Sequence, residues 1–321
     1  MADEAIEIFG DTPVSAYLDG AQIIQAAQTA EAQAIHPGYG FLSENSGFAR
    51  HVITAGLAFI GPTPDAIDLM GDKIRSREFA RKHDVPIAPS VQAGDDLDHF
   101  VAAACEIGFP LLIKASAGGG GKGMSIVRNR ETLASLAKTA MNEAQRYFAN
   151  SAIYAERYIE RPRHIEVQVF GDGAGNAIHL YERECSIQRR FQKIVEEAPA
   201  ANLPEGLRQE ICAAAVRLTK AAKYLNAGTV EFILAPDNTF YFLEMNTRLQ
   251  VEHPVTEMVT GLDLVELQIK IAAGQPISIP QEAIVVNGSA IECRICAEVP
   301  ERDFMPATGR LLKINIPTGE A

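Results

Sequence analysis

One glycine-rich loop constrains the fold of this chain more than any other feature. It follows the apolar run Phe109-Pro-Leu-Leu-Ile113 and reads Lys114-Ala-Ser-Ala-Gly-Gly-Gly-Gly-Lys-Gly-Met124. Glycines let backbone N–H groups converge on an anion through φ/ψ regions closed to other residues, and lysine ammonium groups neutralise that anion. Its spacing matches neither the P-loop nor the dinucleotide fingerprint. The pattern predicts a triphosphate-binding loop after a buried strand; a flexible linker is the alternative interpretation.

The length and charge of the chain restrict its class. With 321 residues it is long enough for about two domains with real cores. Its net charge of −12 repels polyanions, so we expect no nucleic-acid partner and no membrane binding. There is no run of the ~18 apolar residues that a membrane helix requires, and the N-terminus is acidic where a signal peptide would be basic. We therefore predict a cytoplasmic protein, or a mitochondrial-matrix protein in a eukaryote.

The cysteines indicate neither disulfides nor a metal site. There are five, an odd number scattered along the chain, which argues against a disulfide framework. Cys293 and Cys296 form a C-x-x-C pair, but residues 290–297 are predicted to be a strand. Strand alternation would point these two thiols to opposite faces, so we expect neither a zinc site nor a redox pair.

Alternating helices and strands predict an α/β architecture, with a smaller α/β unit around the glycine loop. Helices are predicted over residues 21–29, 46–55, 64–83 (one or two helices), 131–147 and 205–224. Strands are predicted over residues 31–34, 57–60, 164–170, 177–182, 228–234 and 240–244. The polar segments 184–197 and 246–254 are predicted to be irregular.

The last predicted hairpin carries a candidate metal site. Glu231 lies on its first strand, and Glu244 and Asn246 close the second, so three oxygen ligands can meet at one end of the sheet. Carboxylates that share Mg²⁺ with substrate phosphates are usual in nucleotide sites. Solvated surface acids are the alternative, but buried neighbours such as Phe232 and Phe242 favour a metal.

The two polar segments are suited to binding a small anion. Their arginine, lysine and glutamine side chains can contact carboxylate-type oxygens, and a glutamate there can take a proton. Ordinary surface salt bridging is the alternative for an arginine pair such as Arg189 and Arg190.

Six motifs occur in one order along the chain and together resemble one family. They are HPGYGFLSEN at 36–45, MGDK at 70–73, the glycine loop at 114–124, RHIEVQ at 163–168, QRRFQKIVEEAP at 188–199 and EMNTRLQVEHP at 244–254. This set resembles biotin carboxylase, the ATP-grasp component of the biotin-dependent acyl-CoA, pyruvate and related carboxylases. The resemblance covers essentially the whole chain.

The resemblance implies an α/β (α+β) chain with an ATP-grasp fold. Residues 1–70 would form a partial, Rossmann-like N-terminal subdomain, and residues 71–280 the ATP-grasp domain, with a lid at about 88–160. Residues 281–321 would begin an incomplete C-terminal subdomain.

The resemblance also implies a set of nucleotide-binding residues. Two lysines and the glycine loop would contact phosphates, a glutamate and a nearby backbone group would meet adenine, and a histidine and a glutamine would lie by the ribose and phosphates. In that order these residues are Lys73, Lys114, Gly118, Gly119, Gly120, Gly121, Glu156, Ile159, His164 and Gln188.

The remaining site residues implied by the resemblance serve metal, bicarbonate and biotin. Glu231, Glu244 and Asn246 would bind Mg²⁺ or Mn²⁺, in agreement with the argument from the hairpin. Bicarbonate would be held by Lys193, Arg248, Gln250 and the amide of Val251, with Glu252 as the general base, Arg294 stabilising the biotin enolate and Tyr39 near the biotin ring.

Such enzymes use MgATP to activate bicarbonate as carboxyphosphate, which delivers CO₂ to N1′ of biotin on a carrier. The implied partners are a biotin carboxyl carrier and a carboxyltransferase, and family members are commonly homo-oligomers. The carboxyltransferase selects the final acyl-CoA or pyruvate acceptor. Two alternatives stay open: another ATP-grasp ligase of the carboxylate–amine or carbamoyl-phosphate type, and an inactive binding or assembly module.

The chain departs from the family pattern in two ways. Phe191 replaces the usual histidine of Arg-Arg-His-Gln-Lys, which predicts weaker ATP binding. The family's N-terminal Asn-Arg-Gly-Glu-Ile-Ala unit and its further C-terminal strands and helices are not found, so we expect exposed apolar edges and uncertain activity.

Overall fold

The computed structural model describes residues 2–94, 96–115, 124–148, 151–190 and 192–315. The predicted phosphate-binding glycines 118–121 and Phe191 lie outside these ranges. In the described part of the chain, no helix combines the length and apolar character needed to cross a bilayer.

Helices and strands alternate along the chain, which confirms the predicted mixed α/β architecture. The helices are Pro13–Leu18 (α1), Gly20–Thr29 (α2), Ser46–Thr54 (α3), Pro64–Gly71 (α4), Lys73–Lys82 (α5), Leu97–Ile107 (α6), Arg130–Phe148 (α7), Glu205–Ala221 (α8), His253–Thr260 (α9) and Leu264–Ala272 (α10). The strands are Ala34–Ile35 (β1), Ala58–Phe59 (β2), Ser90–Gln92 (β3), Leu111–Ala115 (β4), Ser125–Val127 (β5), Ile153–Arg157 (β6), Arg163–Asp172 (β7), Ala177–Arg189 (β8), Gln192–Ala198 (β9), Leu225–Leu234 (β10), Phe240–Asn246 (β11), Ala290–Cys293 (β12), Glu298–Val299 (β13) and Met305–Pro306 (β14).

Two sequence predictions were wrong. The segment 184–197 is not irregular, because it forms most of the long hairpin of β8 and β9. Its polar side chains face a polar site, so the apolar alternation that marks a half-buried strand is missing. The strand predicted over 290–297 ends at Cys293, and Cys293 and Cys296 are exposed free cysteines.

The largest sheet has six antiparallel strands in the order β11-β10-β7-β8-β9-β12. Alternate residues of its central strands face opposite sides, as strand geometry requires. Ile165 and Val167 of β7 and Val230 and Phe232 of β10 belong to an apolar core to which α8 contributes residues such as Leu218. The intervening residues of both strands face away from that core and supply the site.

Two smaller units accompany this sheet. A four-stranded antiparallel sheet, β3-β6-β4-β5, shares an apolar core with α6 and α7. Near the N-terminus, β1 and β2 pair in parallel, and α3 packs beside them through Phe48, Ala49 and Val52. The four-stranded sheet and the polar side of the six-stranded sheet both line one cavity.

Candidate active site

A cavity of about 690 Å³ is lined by β4 and β6 of the smaller sheet and by β7 to β11 of the larger one. Fourteen of the residues predicted for the site line it. They are Lys114, Glu156, Ile159, His164, Gln188, Lys193, Glu231, Glu244, Asn246, Arg248, Gln250, Val251, Glu252 and Arg294.

Two predicted residues are not among those that line this cavity. Lys73 is the first residue of α5 and lines an adjoining cavity of about 420 Å³, which shares Arg77 and Ala88 with the first. Tyr39 lies in the loop before α3, where it is 49% exposed. Of the described residues predicted for the site, all but Lys73 and Tyr39 therefore line one cavity.

Lys193 is the cationic centre of the cavity. Its ammonium lies 2.5 Å from a carboxylate oxygen of Glu166, 2.8 Å from Glu231 and 2.6 Å from Glu252. Burial would lower the pKa of Lys193, but the charges of these three carboxylates outweigh burial and raise it. Lys193 therefore stays protonated and holds together the carboxylates of two strands and of the N-cap of α9.

Glu252 lies between two cations. It occupies the N-cap position of α9, yet its side chain makes no capping hydrogen bond. Instead Oε1 accepts from Lys193 at 2.6 Å and Oε2 accepts from Nη2 of Arg294 at 2.7 Å. Burial would raise the pKa of Glu252, but Lys193 and Arg183 outweigh it and lower the pKa. The carboxylate is therefore ionised and fixed at the cavity wall.

Arg294 reaches this position because β12 pairs with β9. Its backbone N–H donates to the carbonyl of Ile194, and its Nε lies 2.9 Å from an oxygen of the buried Glu196. Glu292 stands directly opposite Glu196 in the ladder. Burial raises the pKa of both glutamates, and Arg294 partly offsets this effect.

Glu231 and Glu244 face each other across the β10–β11 pair. The amide of Asn246 donates to Oε1 of Glu231 at 2.7 Å, and His164 Nε2 lies 2.9 Å from Oε2. Burial would raise the pKa of Glu231, but His164 and Lys193 hold it well below its ordinary value. Burial and the charge of Glu231 raise the pKa of Glu244.

This donor set fits a divalent cation. Burial, and then the charge of Glu231 on the neighbouring strand, disfavour the ionised form of Glu244, and a cation between the two carboxylates would relieve that cost. Asn246 adds an amide oxygen on the same strand end. His164, Glu166 and Glu231 form a further group whose ligand atoms lie within 4.8 Å of one another.

The side of the cavity formed by the smaller sheet contains a buried ion-paired glutamate. Glu156 of β6 lies 2.5 Å from the ammonium of Lys114 and 3.1 Å from Arg77. Register explains the first contact, since Lys114 pairs with Tyr154, two residues from Glu156 on the same face of β6. The carboxylate of Glu156 and the backbone of Ile159 line the same cavity, and such polar groups can recognise a heterocycle by hydrogen bonding.

Sequence reasoning missed the residue that ties this side of the sheet together. Arg183 of β8 is completely buried, and each of its guanidinium nitrogens donates hydrogen bonds. Its acceptors, at 2.8 to 3.3 Å, are the side chains of Glu166, Gln168, Thr229, Gln250 and Thr256. A charged residue amid β8 carries no local signal of such a role. Glu166 is also missed, although the quoted motif at 163–168 contains it.

Family models match most of the chain. Residues 1–67 match the model described as biotin carboxylase, N-terminal domain. Residues 72–279 match the model described as carbamoyl-phosphate synthase L chain, ATP binding domain. The match over residues 72–279 would by itself leave a carbamoyl-phosphate type of ligase open. The match of residues 1–67 to a biotin carboxylase domain does not favour that alternative.

Curated relatives extend this likeness over nearly the whole chain. The biotin carboxylase of Nostoc sp. is 50% identical, and the alignment covers 97% of this chain and 70% of the relative. The mitochondrial methylcrotonoyl-CoA carboxylase subunit alpha of Dictyostelium discoideum is 50% identical, with 99% of this chain and 46% of the relative covered. The chain thus spans less than half the length of the latter protein.

Solved structures agree in fold. The biotin carboxylase domain dimer of Hydrogenobacter thermophilus 2-oxoglutarate carboxylase, complexed with MgADP, ADP and bicarbonate, has a TM-score of 0.90 and 48% identity over 97% of this chain and 69% of that one. Campylobacter jejuni biotin carboxylase in its β-γ-ATP complex has a TM-score of 0.89 and 46% identity over 95% and 68%. The ATP-grasp fold expected from the sequence is therefore confirmed.

Proposed function

The chain belongs to the biotin carboxylase family, and we propose that it uses MgATP and bicarbonate to carboxylate biotin on a carrier protein. One observation supports this function above the others. A single cavity contains a carboxylate pair suited to a divalent cation, the lysine Lys114, and Glu252 held between Lys193 and Arg294. Phosphoryl transfer to a weak nucleophile requires such charge neutralisation and positioning.

At the nucleotide end, we propose that Glu156 and the backbone near Ile159 recognise adenine. Lys114, 2.5 Å from Glu156, would turn toward the phosphates when the nucleotide enters. Lys73, His164, Gln188 and the glycines 118–121 complete the proposed phosphate and ribose contacts.

Glu231, Glu244 and Asn246 are the residues that would hold Mg²⁺ or Mn²⁺. When bound, the cation would neutralise charge on the phosphate oxygens. Lys193 contacts Glu231 at 2.8 Å, so it would link the metal carboxylates to the bicarbonate position.

At the bicarbonate end, Lys193, Arg248, Gln250 and the Val251 amide would hold the anion. Glu252 would accept its proton as the oxygen attacks the γ-phosphoryl group, which yields carboxyphosphate and ADP. The lowered pKa of Glu252 keeps it ionised, which is the state that a general base requires. Arg294, 2.7 Å from Glu252, would stabilise the biotin enolate, and Tyr39 would have to approach with the biotin ring.

The wider assignments follow from family membership. We propose the subdomains 1–70, 71–280 with a lid at about 88–160, and 281–321. Relatives include subunits and domains of larger carboxylases, and one solved relative is a dimer. A biotin carboxyl carrier, a carboxyltransferase and a second copy of the chain are the proposed partners, in the cytoplasm or, in a eukaryote, the mitochondrial matrix.

Bicarbonate-dependent ATP hydrolysis by the purified protein, with and without free biotin, tests this function. Biotin-stimulated turnover that is lost in Glu252→Gln, while ATP binding is kept, is the expected result. ATP cleavage that depends on an amine or ammonia instead would favour the carbamoyl-phosphate type of ligase. Nucleotide binding without any turnover would favour a binding module.

A further inference from the structure

Glu44 accepts three hydrogen bonds from the segment that carries the proposed bicarbonate residues. Its Oε1 accepts from the backbone N–H of Thr247 at 3.0 Å and from the Thr247 hydroxyl at 3.3 Å. Its Oε2 accepts from Nε of Arg248 at 2.9 Å. Glu44 belongs to the loop before α3, more than 200 residues away in sequence. This carboxylate therefore connects the N-terminal unit to the wall of the cavity.

The loop that carries Glu44 is fixed at both ends. At its start, the N–H of Gly38 donates to Nδ1 of His36, so Nε2 is the nitrogen that donates to Gln268, at 2.9 Å. Gln268 is buried in α10. At its end, Asn45 caps α3 through a 2.8 Å hydrogen bond from the N–H of Phe48. Glu44 directly precedes Asn45, so the backbone of Glu44 is held in place independently of its contact with Arg248.

Glu44 makes the shortest contact of the Arg248 guanidinium. The other two contacts, to the carbonyl of Leu249 and to Oδ1 of Asn246, measure 3.3 and 3.4 Å and are correspondingly weak. Because Glu44 engages Nε, the two terminal nitrogens of Arg248, a residue that lines the cavity, make only these two long contacts. Paired N–H groups in this fork are the geometry that binds a planar oxyanion.

We propose that Glu44 is a positioning residue that orients Arg248 for bicarbonate. This role deepens the proposed function and rests on it. A carboxylate is needed because Thr247 donates to one of its oxygens and Arg248 donates to the other, so both oxygens must be acceptors. A glutamine could still accept from Thr247, but its NH₂ group would then face the Nε of Arg248 and turn the arginine away.

The test compares Glu44→Gln with the wild-type protein in steady-state kinetics. We expect KM for bicarbonate to rise about tenfold or more, the usual effect of losing a hydrogen bond to a charged group, with KM for ATP within about twofold. Glu44→Asp keeps the charge and should recover part of the bicarbonate affinity. Because the Glu44 side chain is 41% exposed, these variants should fold.

Glu205→Gln is the matched control, since Glu205 is an exposed glutamate that pairs with Arg208 away from the cavity. An unchanged KM for bicarbonate in Glu44→Gln, or equal rises in KM for ATP and bicarbonate, would overturn the inference. Failure of the proposed function is recognised separately, because the wild-type protein would then show no bicarbonate-dependent ATP cleavage. In that case we would compare crystal structures of the wild-type protein and Glu44→Gln. The Arg248 side chain should move in the variant, and an unchanged Arg248 side chain would refute the positioning role.

Discussion

Replacing Lys193 with methionine removes a cation that contacts three buried carboxylates at once. Its contacts to Glu166, Glu231 and Glu252 measure 2.5, 2.8 and 2.6 Å, and these side chains are only 0%, 4% and 3% exposed. Methionine offers these carboxylates neither a charge nor a hydrogen-bond donor. Removing one partner of a buried ion pair costs about 3–5 kcal/mol. We expect a loss of this size in the free energy of unfolding at pH 8, or roughly 5–10 °C in Tm.

The loss should become smaller as pH falls. In the wild-type protein, Lys193 helps to depress the pKa of Glu252 against burial, so this carboxylate contributes stability above its unfolded pKa of about 4.5. That contribution disappears as pH falls through the lower folded pKa. Lys193→Met leaves Arg183 and Arg294 to oppose burial, so the folded pKa of Glu252 rises, its ionised form costs more at pH 8, and protonation removes part of this cost toward pH 5.

Thermal unfolding of both proteins at pH 5, 6.5 and 8 measures the effect. Lys270→Met is the control, because Lys270 pairs with Glu266 on the exposed face of α10 and should contribute no more than about 0.5 kcal/mol. A Tm loss in Lys193→Met that is the same at all three pH values, or no larger than that of the control, would refute the reasoning.

Three further predictions follow from the site. Glu244→Gln should raise the Mg²⁺ concentration for half-maximal ATP cleavage by about tenfold or more, and an unchanged Mg²⁺ titration would remove Glu244 from the metal site. Arg183→Met should cost about 3–5 kcal/mol in chemical unfolding, because the buried Glu166 loses its guanidinium, whereas Arg50→Met, at an exposed pair, should cost far less. Phe191→His should tighten ATP binding in calorimetry; equal dissociation constants would show that the family histidine is not needed here.

Local pattern was sufficient for much of the fold. The alternation of β7 and β10 predicted strands near their observed bounds, and the hairpin between β10 and β11 placed Glu231, Glu244 and Asn246 at one end of a sheet. These predictions succeeded because strand period and turn residues are properties of neighbours in sequence. The hairpin of β8 and β9 escaped the same reasoning, since a polar site on one side of the sheet removes the apolar signal.

The sequence by itself therefore determined the class of fold, the family and the residues that meet around one cavity. Only the tertiary structure decided how these residues are held. Arg183 donates to acceptors on different strands and on the segment after β11, and Glu44 reaches Arg248 across more than 200 residues. Lys73 and Tyr39 match family motifs, yet they lie outside the lining of that cavity. The reason is physical: strand and helix patterns arise from residues close in sequence, whereas the position of a charged group depends on partners that only folding brings within hydrogen-bonding distance.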